Sequence, residues 1–237
     1  MTDVLEAPAR PAFANFVGGE WRASLAGRTY VKRGPWRPSQ PIGEFPASDA
    51  ADVEAAVEAA QAAFPEWART PAARRGQILL QAADAVERRA EQIARDMTLE
   101  MGKPVRESRL EALRMAQVLR FYAGEGLRPL GERFEQAATG SVVYTMRRPL
   151  GVVGLITPWN FPAAIPAWKT APALAYGNTV VLKLAQEAPL TGLHLAACLA
   201  EAGLPARVLN VVIGRGSEVG MPLARHPSVK AVSFTGS

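Results

Sequence analysis

Two polar residues in the last third of the chain have the type and setting to do chemistry. Asn160 sits in Thr157-Pro158-Trp159-Asn160-Phe161-Pro162, between two prolines, at the junction of an apolar run and an apolar helix pattern. Prolines restrict the backbone on both sides, so the side-chain amide would be held stiffly. A fixed N–H donor of that kind stabilises an oxyanion, and losing one costs about 3–4 kcal/mol of transition-state energy. The competing reading is a turn asparagine that bonds its own backbone. Lys183 ends the run Thr179–Lys183. Dinucleotide folds ordinarily carry an acid there, which binds the ribose diol and repels a 2′-phosphate. Here a cation stands in that place, and Gln186 after it is uncharged. Neither repels a phosphate, so discrimination against NADP is expected to be weak. A solvated strand-end lysine is the alternative.

A third junction, Gly214-Arg215-Gly216-Ser217-Glu218-Val219-Gly220, resembles G-x-G-x-x-G with one extra residue, so the strict fingerprint fails. With a strand before it and a helix after, its glycines would let a phosphate approach the backbone; close helix packing explains them too. The last run, Ala231–Phe234, leads into Thr235-Gly236-Ser237, which suits a cofactor ring, a phosphate or simply a tight turn. Phe161 and Trp168 could line a substrate tunnel or pack in the core. Cys198, inside LHLAACLAEAG, reads as a core thiol, and His194 and His226 are too far apart to make a metal site. No metal is expected.

These residues need a scaffold. Strands are expected at 152–156, 179–183, 208–213 and 230–235, with helices near 162–175, 189–202 and 217–225. That alternation defines an α/β fold: a Rossmann-like parallel sheet with flanking helices and right-handed crossovers. An N-terminal β-hairpin and helical region precedes it. Residues 1–12 read as a loose tail, 13–140 as hairpins and helices, 141–150 as an extended arm, and 151–237 as the βαβαβαβ core. Within 13–140, Ser48 or Asp49 caps a helix through about Phe64. Pro71 starts a second, whose apolar series from Leu79 to Met97 runs unbroken to Gly102. A third spans about Val105 to Tyr122.

The 237 residues, 49% hydrophobic, can bury a substantial core. No apolar run is long enough to span a membrane, and the N-terminus lacks the order of a secretory signal. A single cysteine fits a reducing cytoplasm. The net charge of +5 does not imply nucleic acid, because 21 of 27 basic and 19 of 22 acidic residues intermingle before residue 151.

Taken in order, NFVGGEW (15–21), EMGKP (100–104), RRPLGVVG (147–154), TPWNFP, the Lys183 strand, GLP (203–205) and SFTGS resemble the aldehyde dehydrogenase superfamily over nearly the whole chain. The resemblance implies NAD or NADP as cofactor, an aldehyde as substrate, and a homo-oligomer in the full-length enzyme. Asn160 would donate to the oxyanion. Ile156, Thr157, Pro158, Trp159 and Asn160 would lie along the cofactor, with Lys183, Ala185 and Gln186 at the adenosine ribose. Gly216 and Gly220 would flank the pyrophosphate, and Phe234, Thr235, Gly236 and Ser237 would complete the site. Two motifs depart from the family: KLAQ at 183–186 replaces K-P-A-E or K-P-A-S, and RGPWRP replaces an asparagine-proline turn near residue 34. RFYAGEGLRPLGE and AIPAWK resemble the branch that oxidises ketoglutaric and succinic semialdehydes, which makes Arg114 a candidate carboxylate anchor or else a surface ion pair. The family's nucleophilic cysteine and general-base glutamate lie beyond SFTGS. The expectation is therefore an incomplete aldehyde dehydrogenase fold, its catalytic domain absent, inactive alone. A non-catalytic dinucleotide-binding or assembly module is the alternative.

Overall fold

The computed structural model describes residues 13–128, 131–135 and 140–236; the expected tail at 1–12 and Ser237 lie outside them. The first hairpin joins β1 (Asn15–Val17) to β2 (Glu20–Arg22) through Gly18 and Gly19, whose φ values of 71° and 92° only glycine adopts cheaply. A second joins β3 (Thr29–Arg33) to β4 (Pro41–Pro46). Helix α1 (Ala50–Arg69) starts at a reciprocal cap: Asp49 accepts from the Ala51 amide at 2.9 Å, and Asp52 accepts from the Asp49 amide at 3.1 Å. It passes through Pro65 rather than stopping at Phe64, and Trp67, buried in the core, anchors its last turn.

The series from Leu79 to Met97 is two helices, not one. Helix α2 (Ala72–Arg88) and α3 (Ala90–Met101) meet at Arg89, whose φ and ψ of −100° and 4° break the ladder. Both halves keep the same apolar spacing, so periodicity could not reveal the bend. It allows each half to pack separately against α4 (Val105–Glu125) and a later helix. Gly102, with φ 81°, closes α3. Short strands β5 (Arg133–Glu135) and β6 (Val142–Tyr144) pair antiparallel, so part of the segment read as an extended arm is one side of a hairpin.

From Val152 the expected alternation is present. The elements are β7 (Val152–Ile156), α5 (Ala164–Ala175), β8 (Thr179–Leu184), α6 (Pro189–Glu201), β9 (Leu209–Ile213), a π turn (Gly216–Gly220) running into α7 (Met221–Arg225), and β10 (Val229–Phe234). The strand order is β10-β7-β8-β9-β1-β2. The four later strands are parallel, but β1 joins β9 antiparallel, so the sheet is mixed. Side chains make that join: Asn15 accepts from the Ile213 amide at 2.9 Å and donates to Ser48 Oγ at 2.8 Å, and the Gly18 amide donates to Asn210 Oδ1 at 2.9 Å.

Each face of the sheet is covered. Leu155, Leu182, Leu184 and Ile213 join a core with α2 to α6. Val152, Val181 and Val212 join a second core with α1, Val219 and Leu223. Glycine permits two of the close approaches: a Cβ at Gly76 would lie 2.4 Å from the Ala123 carbonyl, and one at Gly154 would lie 3.1 Å from Leu223.

Candidate functional site

Order and direction together mark a switch point in the sheet. The chain steps from β7 to β8 to β9, then returns across the sheet to place β10 on the far side of β7. Ligands of open α/β sheets bind beyond the carboxyl ends of the strands at such a switch point. Phe234 pairs with Ile156, Ile156 with Lys183, and Lys183 with Val212, so these strand ends form one row. The Thr157 amide donates to the Lys183 carbonyl at 3.2 Å, and the Thr235 amide donates to that of Ile156 at 3.1 Å. The Asn160 turn, Lys183 and the Thr235-Gly236 segment therefore leave the sheet from neighbouring positions.

Asn160 is exposed, and its side-chain amide makes no hydrogen bond among the described residues. The other asparagines behave differently. Asn15, Asn178 and Asn210 all bond backbone or side-chain groups of the fold. A turn asparagine satisfying its own backbone is thus not what this turn contains. Trp159 and Phe161 beside it are 52% and 45% exposed, and Trp168, one helix turn into α5, is 44% exposed, so these are not core residues. Thr157 is buried, and Pro158 and Ile156 are half-buried.

Lys183 is not a solvated strand-end lysine. Only 7% of it is exposed, and its ammonium forms no hydrogen bond or ion pair among the described residues. Burial lowers its pKa, with Glu187 partly restoring it. A buried cation without a partner suits a ligand that brings hydroxyl or phosphate oxygens. Ala185 is buried and Gln186 half-buried, and Tyr30 Oη donates to the Gln186 carbonyl at 2.8 Å. On the same sheet face, a Cβ at buried Gly220 would stand 3.8 Å from Ile156 Cδ1; Gly216 is exposed with open space around it.

The helix starts that follow these strands are closed from elsewhere. At the first turn of α5, Glu111 on α4 accepts from the Ala163 and Ala164 amides at 2.9 and 3.1 Å. Glu100 on α3 likewise takes the Leu190 and Thr191 amides at 2.6 and 2.9 Å, plus Thr191 Oγ1 at 2.8 Å. Both helices lack a cap of their own, at Ala163 and Ala188. Carboxylates from other helices fill the role, and of the three junctions only Gly214–Gly220 has no such plug among the described residues. Lys103 bridges Glu111 to the Asn160 carbonyl, 3.0 Å away.

Sequence reading missed Lys103, Glu100, Glu111, Glu187 and Tyr30. EMGKP was visible as a motif, but nothing in it says that Lys103 reaches residue 160. Of the other candidates, Arg114 lies exposed on α4, with Gln117 Oε1 at 3.3 Å and no ion pair among the described residues. Phe234, Thr235 and Gly236 are exposed at the end of β10. Cys198 is buried, its thiol pKa raised by burial. His194 and His226 pair with Asp96 and Glu54, and no cluster of metal-ligating residues exists among the described residues. No described helix is long and apolar enough to cross a membrane.

The fold is α/β, with the Asn160 turn and Lys183 at the carboxyl ends of neighbouring parallel strands. The Aldehyde dehydrogenase family pattern matches residues 21–237, and the chain belongs to that family. It is 48% identical over 225 residues to the alpha-ketoglutaric semialdehyde dehydrogenase of Bacillus subtilis, covering 95% of this chain and 46% of that protein. With the 2,5-dioxopentanoate dehydrogenase of Saccharolobus solfataricus it shares 47% identity over 186 residues, 78% of this chain and 39% of that one. Among solved structures, PnpE from Pseudomonas sp. WBC-3, also solved with nicotinamide adenine dinucleotide, superposes with a TM-score of 0.92 at 38% identity, covering 96% of this chain and 46% of PnpE. The chain therefore spans about half the length of these relatives.

Proposed function

We propose that this chain is the cofactor-binding part of an NAD(P)-dependent aldehyde dehydrogenase that oxidises a small semialdehyde to the carboxylic acid. One observation carries the reading: at and just beyond the carboxyl ends of paired strands β7 and β8, the Asn160 side-chain amide and the buried Lys183 ammonium both lack a hydrogen-bond partner among the described residues. NAD(P) would supply the acceptor for the hydride leaving the aldehyde carbon. Asn160 would donate to the carbonyl oxygen as it gains negative charge. Lys183, with Ala185 and Gln186 alongside, would hold the adenosine ribose. Gly216 and Gly220 would give the pyrophosphate access to the backbone, and Ile156 to Trp159 with Phe234 to Ser237 would flank the rest. Because neither Lys183 nor Gln186 repels a 2′-phosphate, NADP should bind as well as NAD.

The names of the Bacillus and Saccharolobus relatives support a semialdehyde, and the guanidinium of Arg114, with no carboxylate partner among the described residues, is a suitable anchor for its acid end. Phe161 and Trp168 would line the approach. The complete enzyme would be a cytoplasmic homo-oligomer. The 237-residue chain, whose single thiol is buried, would bind cofactor without turnover. Calorimetry with NAD and NADP, followed by an aldehyde panel monitored for NADH, tests this. Uptake of both dinucleotides without NADH is expected; no uptake of either, by folded chain, would overturn the reading.

A further inference from the structure

We propose that Lys103 and Glu111 are positioning residues that set the direction of the Asn160 side chain. The inference deepens the proposed function and rests on Asn160 being the oxyanion donor. Glu111 is almost wholly buried on α4, and its two oxygens do separate work. Oε1 accepts from the Ala163 and Ala164 amides at 2.9 and 3.1 Å, and Oε2 is paired with the Lys103 ammonium. Lys103, on the short link between α3 and α4, donates onward to the Asn160 carbonyl at 3.0 Å and stands 4.3 Å from the Phe161 ring centroid. Asn160 thus lies between two anchored points, its own carbonyl and the first amides of α5.

The geometry has a chemical consequence. A carbonyl oxygen held by an ammonium restrains rotation about the Asn160 Cα–C bond, and so narrows the directions open to the Cα–Cβ bond. Pro158 and Pro162 narrow the backbone but leave that rotation open. The side-chain amide stays unbonded within the fold, so nothing else described holds it. The backbone from which it projects is therefore steadied from behind, by the Lys103–Glu111 pair. Preorganised donors act because they need not reorient as charge develops. Lys103 supplies that preorganisation, and Glu111 keeps Lys103 in place while closing the helix start.

The test is nuclear magnetic resonance on the 237-residue chain labelled with 15N at asparagine, phenylalanine and alanine. In Lys103→Met, the Asn160 side-chain amide signals should broaden or double, and the Asn160 and Phe161 backbone amide signals should shift. Asn15, Asn178 and Asn210 serve as internal controls and should not move. Lys103→Arg should restore the single Asn160 signal, whereas Glu111→Gln should speed exchange at Ala163 and Ala164 and disturb Asn160 in the same direction. Unchanged Asn160 signals in Lys103→Met would overturn the proposal, and so would equal disturbance of all four asparagines, which marks general loosening. If Lys103→Met fails to fold, Lys103→Gln is judged by the same signals. Dinucleotide binding by the unaltered chain is measured separately, so failure there counts against the functional reading and leaves the asparagine result to stand or fall alone.

Discussion

Lys183 carries a charge into a sheet end that offers it no ion pair among the described residues, and burial has already weakened its hold on the proton. Lys183→Met keeps the length and apolar stem while removing the ammonium. A charge-assisted hydrogen bond contributes about 1.5–3 kcal/mol, so NAD and NADP affinity should fall at least tenfold. The melting temperature should hold or rise, because an unpartnered buried charge is gone; unchanged affinity in calorimetry would count against Lys183 as a ribose ligand. Glu100 makes a second prediction. It is fully buried, and burial raises its pKa from 4.5 to about 7 despite the amides and hydroxyl that favour its charged form. An acid whose folded pKa is raised binds more protons folded than unfolded between those two values. Its contribution to stability is thus complete below about pH 4.5 and lost as pH rises through about 7. Denaturant unfolding at stepped pH should show that decline, and Glu100→Gln should flatten it.

Helix starts in this molecule are closed in two ways. The cap of α1 is local: Asp49 and Asp52 bond the first turn reciprocally, and Asp49 also meets Arg28 at 2.7 Å. Asp49→Ala should cost about 1 kcal/mol in urea unfolding, and a loss well above that would assign extra weight to Arg28. Such caps were legible, since Ser48-Asp49 precedes a helical pattern directly. The starts of α5 and α6 are closed by Glu111 and Glu100, which are 52 and 90 positions away from the amides they first meet. No local signal marks those pairings. The bend at Arg89 was hidden for a related reason: two helices in register with one apolar period look like one until packing separates them.

The whole molecule leaves β10 at an edge, with Val232 41% and Phe234 59% exposed. Trp159, Phe161 and Trp168 are exposed near the same end of β7. An apolar surface of that extent on an isolated chain should bind a hydrophobic dye and promote association visible in light scattering. Phe234→Lys should reduce both, and a compact monomer that leaves the dye unbound would contradict the expectation. Sequence alone determined the four parallel strands and their helices, because apolar runs and helical spacing are local consequences of which faces must be buried. It also singled out Asn160 and Lys183, since residue type and proline flanks can be read along the chain. Only the tertiary structure decided that β10 returns beside β7, that the N-terminal hairpin completes the sheet, that Lys103 reaches the Asn160 carbonyl, and that two buried glutamates close the starts of α5 and α6. Those outcomes depend on pairings between segments dozens of residues apart. Such pairings are chosen by shape and charge in the assembled core, and no periodicity records them.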